Sequence, residues 1–227
     1  MLINKKITDR KFTDIPINSL KGTIFDVDGT ILDSMPIWEK VGSDFLKSIG
    51  VVLHKEKLDL IDEKLFSMSY NDGITYLQEN YATNYTKAEI KDYINKNIEN
   101  FYKHEVKVKK PAKDLIEKLY MNKIPMVIAT SGDVDLIRCA LKRNGIDKYF
   151  SGFFSCNELH TNKDDPLIYI EAAKYIGERP NSILVVEDTY QGLHTAKTAG
   201  FITGGIYDKA SQKDQENIKK ETDYYEY

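Results

Sequence analysis

The feature of this sequence that most restricts its fold is the apolar run at residues 183–186, Ile-Leu-Val-Val, which two acidic residues follow at once. A strand whose successive side chains are all apolar is typically buried on both faces, as the central strands of parallel sheets are. Parallel neighbours require crossover connections, and these are usually helices that cover the sheet. The run therefore predicts an α/β protein with a parallel sheet.

The chain beyond residue 108 alternates between helical and strand-like patterns. In chain order the segments are a helix at 112–120, a strand at 125–129, a helix at 134–143, a strand near 153–154, a helix at 167–176, the apolar run, a helix at 191–199 and a strand at 201–204. Such alternation builds a parallel sheet with helices on both faces. A short apolar segment at residues 22–25 precedes a polar turn, and we expect it to join the same sheet.

Between that first strand and the alternating region lies a block with helical periodicity only. Ile37, Val41, Phe45 and Ile49 recur at helical spacing, and further amphipathic stretches follow. No buried strand is indicated before about residue 108. We therefore predict a Rossmann-like core that a helical cap interrupts. The predicted bounds are 1–18 for an N-terminal extension, 19–34 and 109–227 for the core, and 35–108 for the all-helical cap.

The composition limits what the chain is expected to bind. Lys and Arg total 32 against 35 Asp and Glu, a formal charge of −3, which gives no support for binding nucleic acid or an anionic membrane through bulk charge. No apolar stretch has the length that crosses a membrane, and residues 1–10 lack the apolar segment of a signal peptide. Cys139 and Cys156 are typical of free thiols in a reducing compartment. We expect a cytoplasmic protein without nucleic-acid or membrane partners.

Two acidic residues, Asp26 and Asp28, follow the first predicted strand. Parallel α/β sheets form their sites at the carboxyl ends of strands. Two carboxylates there can share a divalent cation, or one can attack phosphorus while the other moves a proton. Gly29 lets the backbone turn tightly after them. Taken alone, the segment also fits an ordinary polar Asp-Gly turn.

Three further strand ends carry polar side chains suited to a phosphate or a metal. Thr130 and Ser131 precede a helix, which suits a phosphate, although an ordinary helix N-cap, served equally well by Ser131 or Asp133, is the better explanation of this segment taken alone. Lys163 lies in a polar loop and could neutralise phosphoryl oxygens, whereas most loop lysines are solvated. Glu187 and Asp188 follow the apolar run, where adjacent acids are costly unless a cation offsets their charge, although a solvated loop would also explain them.

The order of these motifs resembles that of the haloacid dehalogenase-like hydrolases, in the branch that contains β-phosphoglucomutase and small-molecule phosphatases. The similarity begins at about residue 20 and covers nearly the whole chain. The matching residues are 26–30 for a D-x-D-G-T signature, 127–130 for an apolar strand closing in Thr or Ser, Lys163 with Pro166 for a K-x-x-P motif, and 185–189 with Gly192, Ala196, Ala199 and Gly200 for the fourth motif. The predicted cap also falls where that branch inserts its helical cap.

The resemblance implies a mechanism and a metal. Asp26 would be the nucleophile that forms an aspartyl-phosphate, and Asp28 would protonate the leaving oxygen and then activate water. Mg²⁺ would be held by the Asp26 side chain, the Asp28 backbone carbonyl and Asp188, with Glu187 as a ligand or behind the ligands.

The resemblance also implies a phosphate-binding set. Thr130, the backbone that follows it at Ser131, and Lys163 would hold the transferring phosphoryl group. This suits the chemistry, because phosphoryl transfer depends on in-line positioning and neutralised charge more than on covalent assistance.

Asp28 and the cap favour one reaction over its alternatives. Dehalogenases of this superfamily lack the second Asp, so its presence indicates a phosphate ester. A mutase needs a second phosphate clamp in its cap, best supplied by Arg, yet all four arginines fall outside the cap, and Trp38 and Tyr70 stand where such mutases carry His and Arg. We therefore predict a Mg²⁺-dependent phosphatase of a small phosphomonoester. A β-phosphoglucomutase-type mutase, which cap lysines leave open, and a catalytically silent binding module are the alternatives.

Overall fold

The computed structural model describes residues 10–227. The first half of the predicted N-terminal extension, residues 1–9, lies outside the described residues, and the second half contains short 3-10 turns at Phe12–Asp14 and Ile17–Ser19. The chain divides into two compact units. We call Ser34–Glu105 the helical unit and the remaining described residues the sheet unit.

The sheet unit is built on a parallel sheet. Within residues 10–227 its six strands are β1 (Gly22–Phe25), β2 (Met126–Thr130), β3 (Gly152–Ser155), β4 (Ile183–Glu187), β5 (Ile202–Ile206) and β6 (Tyr224–Glu226). Their spatial order is β3-β2-β1-β4-β5-β6, and each neighbouring pair is parallel. The predicted α/β class is confirmed.

Ten α-helices accompany these strands in the described part of the chain. They are α1 (Met35–Trp38), α2 (Val41–Ser48), α3 (Lys55–Phe66), α4 (Tyr70–Asn80), α5 (Lys87–His104), α6 (Lys110–Met121), α7 (Val134–Arg143), α8 (Leu167–Ile176), α9 (Tyr190–Thr198) and α10 (Gln215–Glu221). The first five lie in the helical unit and the last five in the sheet unit. None of them combines the length and the apolar character of a membrane span.

The central strands are buried on both faces. Every residue of β1, β2 and β4 is buried, and successive residues of a strand point to opposite faces of the sheet. On one face, Ile24 and Val185 lie in a single core cluster with Ile168 of α8 and Ala196 of α9. The uninterrupted apolar run thus forms a central strand for the reason the sequence suggested: neither of its faces meets water.

The helical unit is all-helical, and side-chain hydrogen bonds fix the start of its longest helix, α5. Residues 34–105, all of them described, contain helices and no strand. Thr86 and Glu89 form a reciprocal capping box at the start of α5, which satisfies two otherwise unpaired backbone N–H groups. Tyr70 begins α4 and donates a hydrogen bond to the Asn95 side chain, and Trp38 ends α1 in a half-buried position.

Ile24 provides a test of how far stability depends on the central strand. Its side chain is fully buried in the middle of β1, so Ile24→Ala should lower the free energy of unfolding by about 2–5 kcal/mol. Urea denaturation followed by far-ultraviolet circular dichroism measures this loss. Met121→Ala is the control, because Met121 is 74% exposed and should change stability by no more than about 0.5 kcal/mol. Equal losses in the two variants would contradict the assignment of the core.

Candidate active site

The carboxyl ends of the three central strands place three candidate residues side by side. Asp26 follows β1 directly, Thr130 is the last residue of β2, and Glu187 is the last residue of β4. The Asp26 backbone N–H donates to the Val186 carbonyl at 2.9 Å, so the β1–β4 ladder continues one residue past the strand. Because β1 lies between β2 and β4, all three side chains meet at one edge of the sheet.

Lys163 reaches this edge from the loop between β3 and α8. Its ammonium nitrogen lies 3.1 Å from Asp26 Oδ1, 2.7 Å from Glu187 Oε1 and 2.9 Å from the Ala129 carbonyl oxygen. The side chain is only 14% exposed. Lys163 is therefore not a solvated loop lysine: its charge is committed to two buried carboxylates.

Both carboxylate oxygens of Glu187 accept hydrogen bonds from the protein. Oε1 accepts from Lys163 and from the Tyr169 hydroxyl at 3.1 Å. Oε2 accepts from the Thr189 hydroxyl at 2.9 Å and from the backbone N–H groups of Asp188 and Thr189. These contacts hold Glu187 in one orientation behind Lys163. Its assignment as a metal ligand stays a prediction, and its role in holding Lys163 is what the contacts describe.

Asp188 is held by hydroxyl groups from two other loops. Thr30 Oγ1 donates to Oδ1 at 2.9 Å, and Ser211 Oγ donates to Oδ2 at 3.3 Å. Gly29 packs against the same carboxylate: its φ is +84°, and a Cβ there would lie 2.5 Å from Asp188 Oδ2. The glycine is therefore required twice, by its left-handed backbone conformation and by the close approach of Asp188.

Three buried acids at this edge form a group with the chemistry of a metal site. Asp26, Glu187 and Asp188 each offer an oxygen, and these oxygens lie within 4.8 Å of one another. Lys163 supplies one positive charge against the three carboxylates. Buried charge of one sign is costly unless it is balanced, and hard divalent cations prefer oxygen ligands. The donor set and its charge therefore fit Mg²⁺.

Asp28 lies at the β2 side of this group. A Cβ built on Gly132 would lie 2.9 Å from Asp28 Oδ2 and 3.3 Å from Thr130 Oγ1. The Asp28 carboxylate and the Thr130 hydroxyl therefore border the same turn, and Asp28 is half-buried whereas Asp26 is buried. The two aspartates of the signature thus have different surroundings, which suits a division of roles between them.

The turn after β2 shows which residue caps α7. Asp133 caps α7, because its side chain accepts from two backbone N–H groups of the first turn. Thr130 is buried, and its hydroxyl accepts from the Gly132 N–H at 2.9 Å. Ser131 is exposed, and its hydroxyl lies 3.5 Å from Cys156 Sγ. Neither Thr130 nor Ser131 serves as the helix cap; their part in phosphate binding stays a prediction.

The electrostatic surroundings raise the pKa of two of the clustered acids. Burial raises the pKa of Asp26 to about 7, with Lys163 opposing the shift and Glu187 and Asp28 adding to it. Burial, with the charges of Glu187 and Asp26, raises the pKa of Asp188 well above its ordinary value. Without a cation, the cluster therefore holds protons that ordinary aspartates have lost at neutral pH.

The ion pair of Lys163 with Glu187 is charged on both sides. Burial opposes the charge of each group, but Asp26 and Glu187 outweigh it and raise the pKa of Lys163 well above its usual range. Burial also opposes the charge of Glu187, yet Lys163 and the Thr189 hydrogen bonds lower its pKa on balance. The pair is therefore a fixed charge arrangement at neutral pH.

Three residues that support the site were not singled out from the sequence as partners of the acids. Thr30 belongs to the signature turn, but nothing in the sequence links its hydroxyl to an acid 158 positions away. Tyr169 sits at an apolar helical position and carries no polar signal. Ser211 lies in a loop after β5 with no motif around it. Only the meeting of distant loops shows these contacts.

Comparison with known proteins places the chain in a family. Residues 23–206 match the family model described as haloacid dehalogenase-like hydrolase. A phosphorylated carbohydrates phosphatase from Thermotoga maritima is 22% identical over 181 residues, which cover 80% of this chain and 82% of the relative. Hexitol phosphatase A from Escherichia coli is 28% identical over 181 residues, 79% of this chain and 80% of the relative.

The fold also matches solved structures. A crystal structure from Thermotoga maritima, of a protein proposed to be a beta-phosphoglucomutase, superposes with a TM-score of 0.79. It is 19% identical, and the match covers 92% of this chain and 94% of that protein. At this identity the likeness concerns the fold.

The raised pKa of Asp26 predicts how metal binding depends on pH. A divalent cation binds the deprotonated carboxylate, and Asp26 keeps its proton up to about pH 7 in the metal-free protein. Protons on Asp26 therefore compete with Mg²⁺ below that pH. The apparent Kd, measured by isothermal titration calorimetry, should rise as the pH falls below about 7, by about tenfold per pH unit for the proton on Asp26. Protons on Asp188, whose pKa burial also raises, add to this dependence.

The control for this prediction is Asp26→Asn, whose amide does not titrate. It should bind Mg²⁺ more weakly, with a shallower dependence on pH that Asp188 alone produces. An apparent Kd of the wild type that stays constant between about pH 6 and about pH 8 would contradict a pKa near neutrality.

Proposed function

The chain belongs to the haloacid dehalogenase-like hydrolases, and from that premise we propose that it is a Mg²⁺-dependent phosphatase. It hydrolyses a small phosphomonoester through an aspartyl-phosphate on Asp26. The observation that carries the proposal is the placement of Asp26 at the end of the central strand, in contact with Lys163 and within one group of oxygens with Glu187 and Asp188. The phosphatase relatives support it.

Asp26 is the nucleophile. One of its carboxylate oxygens attacks phosphorus, and the bond between phosphorus and the ester oxygen breaks. Lys163 contacts Asp26 Oδ1, so its ammonium holds the attacking group and balances charge as the phosphoryl group arrives. Glu187 in turn fixes Lys163 through a buried contact of 2.7 Å, which leaves the ammonium little freedom to move away.

Asp28 moves the proton in both halves of the reaction. In the first half it donates a proton to the leaving ester oxygen, and an alcohol departs. In the second half it accepts a proton from the water that attacks phosphorus, so that phosphate leaves and the Asp26 carboxylate is restored. Its half-buried position at the Thr130 turn supports this exchange, because a proton carrier must meet both substrate and water.

Oxygens of this chain would hold the metal. The Asp26 and Asp188 carboxylates and the Asp28 backbone carbonyl would hold Mg²⁺, which when bound neutralises and orients the transferring phosphoryl group. Thr30 and Ser211 fix the Asp188 carboxylate, so its side chain does not have to reorient when the metal binds. Lys163 and the Thr130 turn would provide donors for the phosphoryl oxygens.

The sequence of the helical unit favours hydrolysis over isomerisation. Residues 34–105 contain no arginine, and a mutase has to hold a second phosphate, for which bidentate Arg is best suited. A small phosphomonoester carries one phosphate and does not need that clamp. We therefore propose a phosphatase as the principal activity.

Asp26→Asn tests the nucleophile. The amide cannot form an acyl phosphate, so phosphate release from a panel of small phosphomonoesters should fall at least about 10³-fold, and EDTA should abolish release by the wild type. Released phosphate is measured colorimetrically, with circular dichroism as the test of folding. Asp135→Asn changes an exposed aspartate and should leave release unchanged. Undiminished release by folded Asp26→Asn would exclude the mechanism, and isomerisation of glucose 1-phosphate without net release would indicate a mutase.

Lys163→Met tests the contribution of the buried ammonium. Methionine keeps the length of the side chain but removes the charge that faces Asp26 and Glu187, so kcat/KM for p-nitrophenyl phosphate should fall by roughly 10²–10³-fold. Lys174→Met removes an exposed lysine that pairs with Glu171 and should be neutral. If both variants retain wild-type kcat/KM, Lys163 does not hold the reacting groups.

A further inference from the structure

A second lysine, Lys109, lies close to the candidate site and makes contacts that the mechanism above does not use. Its ammonium donates to Asp208 Oδ2 at 2.6 Å, to the Tyr207 carbonyl at 2.7 Å and to the carbonyl of Gly29. The Lys109 side chain is 15% exposed and that of Asp208 is 5% exposed. An ion pair this well enclosed is screened little by water, and removal of one partner leaves a buried charge.

Lys109 lies where the chain re-enters the sheet unit. Its backbone N–H donates to the Ile31 carbonyl at 2.8 Å, and the Asp33 N–H donates to the Lys107 carbonyl at 2.9 Å. Leu32 and Val108 form an antiparallel bridge between them. The segment that carries Lys109 is thus fixed to the signature turn by its backbone, and the Lys109 side chain adds a contact to Gly29 in that turn.

Two of the three partners of Lys109, Gly29 and Asp208, lie next to groups that touch the same carboxylate, Asp188. Gly29 packs directly on Asp188 Oδ2, as the 2.5 Å approach of a Cβ shows. Asp208 opens the loop after β5: its Oδ1 accepts from the Ala210 N–H at 2.8 Å, and the next residue, Ser211, donates to Asp188 Oδ2. Lys109 therefore joins two loops that both touch one oxygen of Asp188.

We propose that Lys109 and Asp208 are positioning residues that set the affinity of the site for Mg²⁺ by fixing Asp188. Their ion pair holds the Gly29 turn against the loop of Ser211, so that the Asp188 carboxylate stands ready for the cation. This rests on the proposed function in one respect, that Asp188 is a metal ligand. Groups that orient a metal ligand typically change metal affinity or activity by 10- to 100-fold when they are removed.

Calorimetric titration of each protein with Mg²⁺ distinguishes this role from a purely structural one. Lys109→Met and Asp208→Asn should each raise the apparent Kd for Mg²⁺ by about 10- to 100-fold. The control is Lys110→Met, the adjacent lysine, which pairs with Asp114 at the surface and should leave the Kd unchanged. An ion pair that serves stability alone would lower the urea midpoint of both variants and leave the Kd within about twofold of the wild type, which would overturn the proposal.

Asp208→Asn decides the matter if Lys109→Met does not fold, because the amide keeps the shape of the side chain and an acceptor for the Ala210 N–H. Phosphate release at saturating Mg²⁺ separates the two proposals. If the wild type releases phosphate and both variants bind Mg²⁺ as tightly as the wild type, the positioning role alone is overturned. If both variants bind Mg²⁺ more weakly but the wild type releases no phosphate, the phosphatase alone is overturned.

Discussion

The candidate site of the sheet unit depends on how the charges of three buried carboxylates are compensated by one ammonium group. Asp26, Glu187 and Asp188 come from the ends of the two central strands, where the sheet excludes water. Lys163 neutralises part of this charge, and its ion pairs with Asp26 and Glu187 hold it in place. Burial, together with the charges of neighbouring carboxylates, raises the pKa of Asp26 and Asp188, and a buried group of oxygens with this charge fits a divalent cation.

The strand order gives each acid its own surroundings. β1 lies between β2 and β4, so the turn after β1 faces a different neighbour on each side. Toward β4, Gly29 meets Asp188; toward β2, Asp28 meets the turn at Gly132. One short signature therefore supplies a buried carboxylate, Asp26, and a half-buried one, Asp28, and these different surroundings suit the separate roles proposed for them.

The same edge of the sheet contains two lysine–carboxylate pairs with different consequences. Lys163 contacts the proposed nucleophile itself, so its charge acts on the reacting group. Lys109 contacts the signature turn and Asp208, so it acts on the position of Asp188 through backbone and hydroxyl contacts. Both lysines are mostly buried, and each pair joins segments that are far apart in the chain. At the carboxyl ends of the strands, beyond the apolar packing of the sheet, ion pairs therefore connect the loops.

The sequence by itself determined the parallel sheet, the order of the motifs and the strand ends that carry reactive residues, because burial on both faces and periodicity are local properties of the chain. Its membership of the family follows from the same motifs. Tertiary structure decided which polar atoms pair: that both oxygens of Glu187 face protein donors, that Asp133 rather than Ser131 caps α7, and that Lys109 meets Asp208. The pairs of Glu187 with Lys163 and of Lys109 with Asp208 join segments far apart in the chain, and their geometry depends on strand register and side-chain burial, which no local pattern encodes. The cap of α7 is a local contact, but the sequence offers Ser131 and Asp133 alike, and the backbone of the turn decides between them.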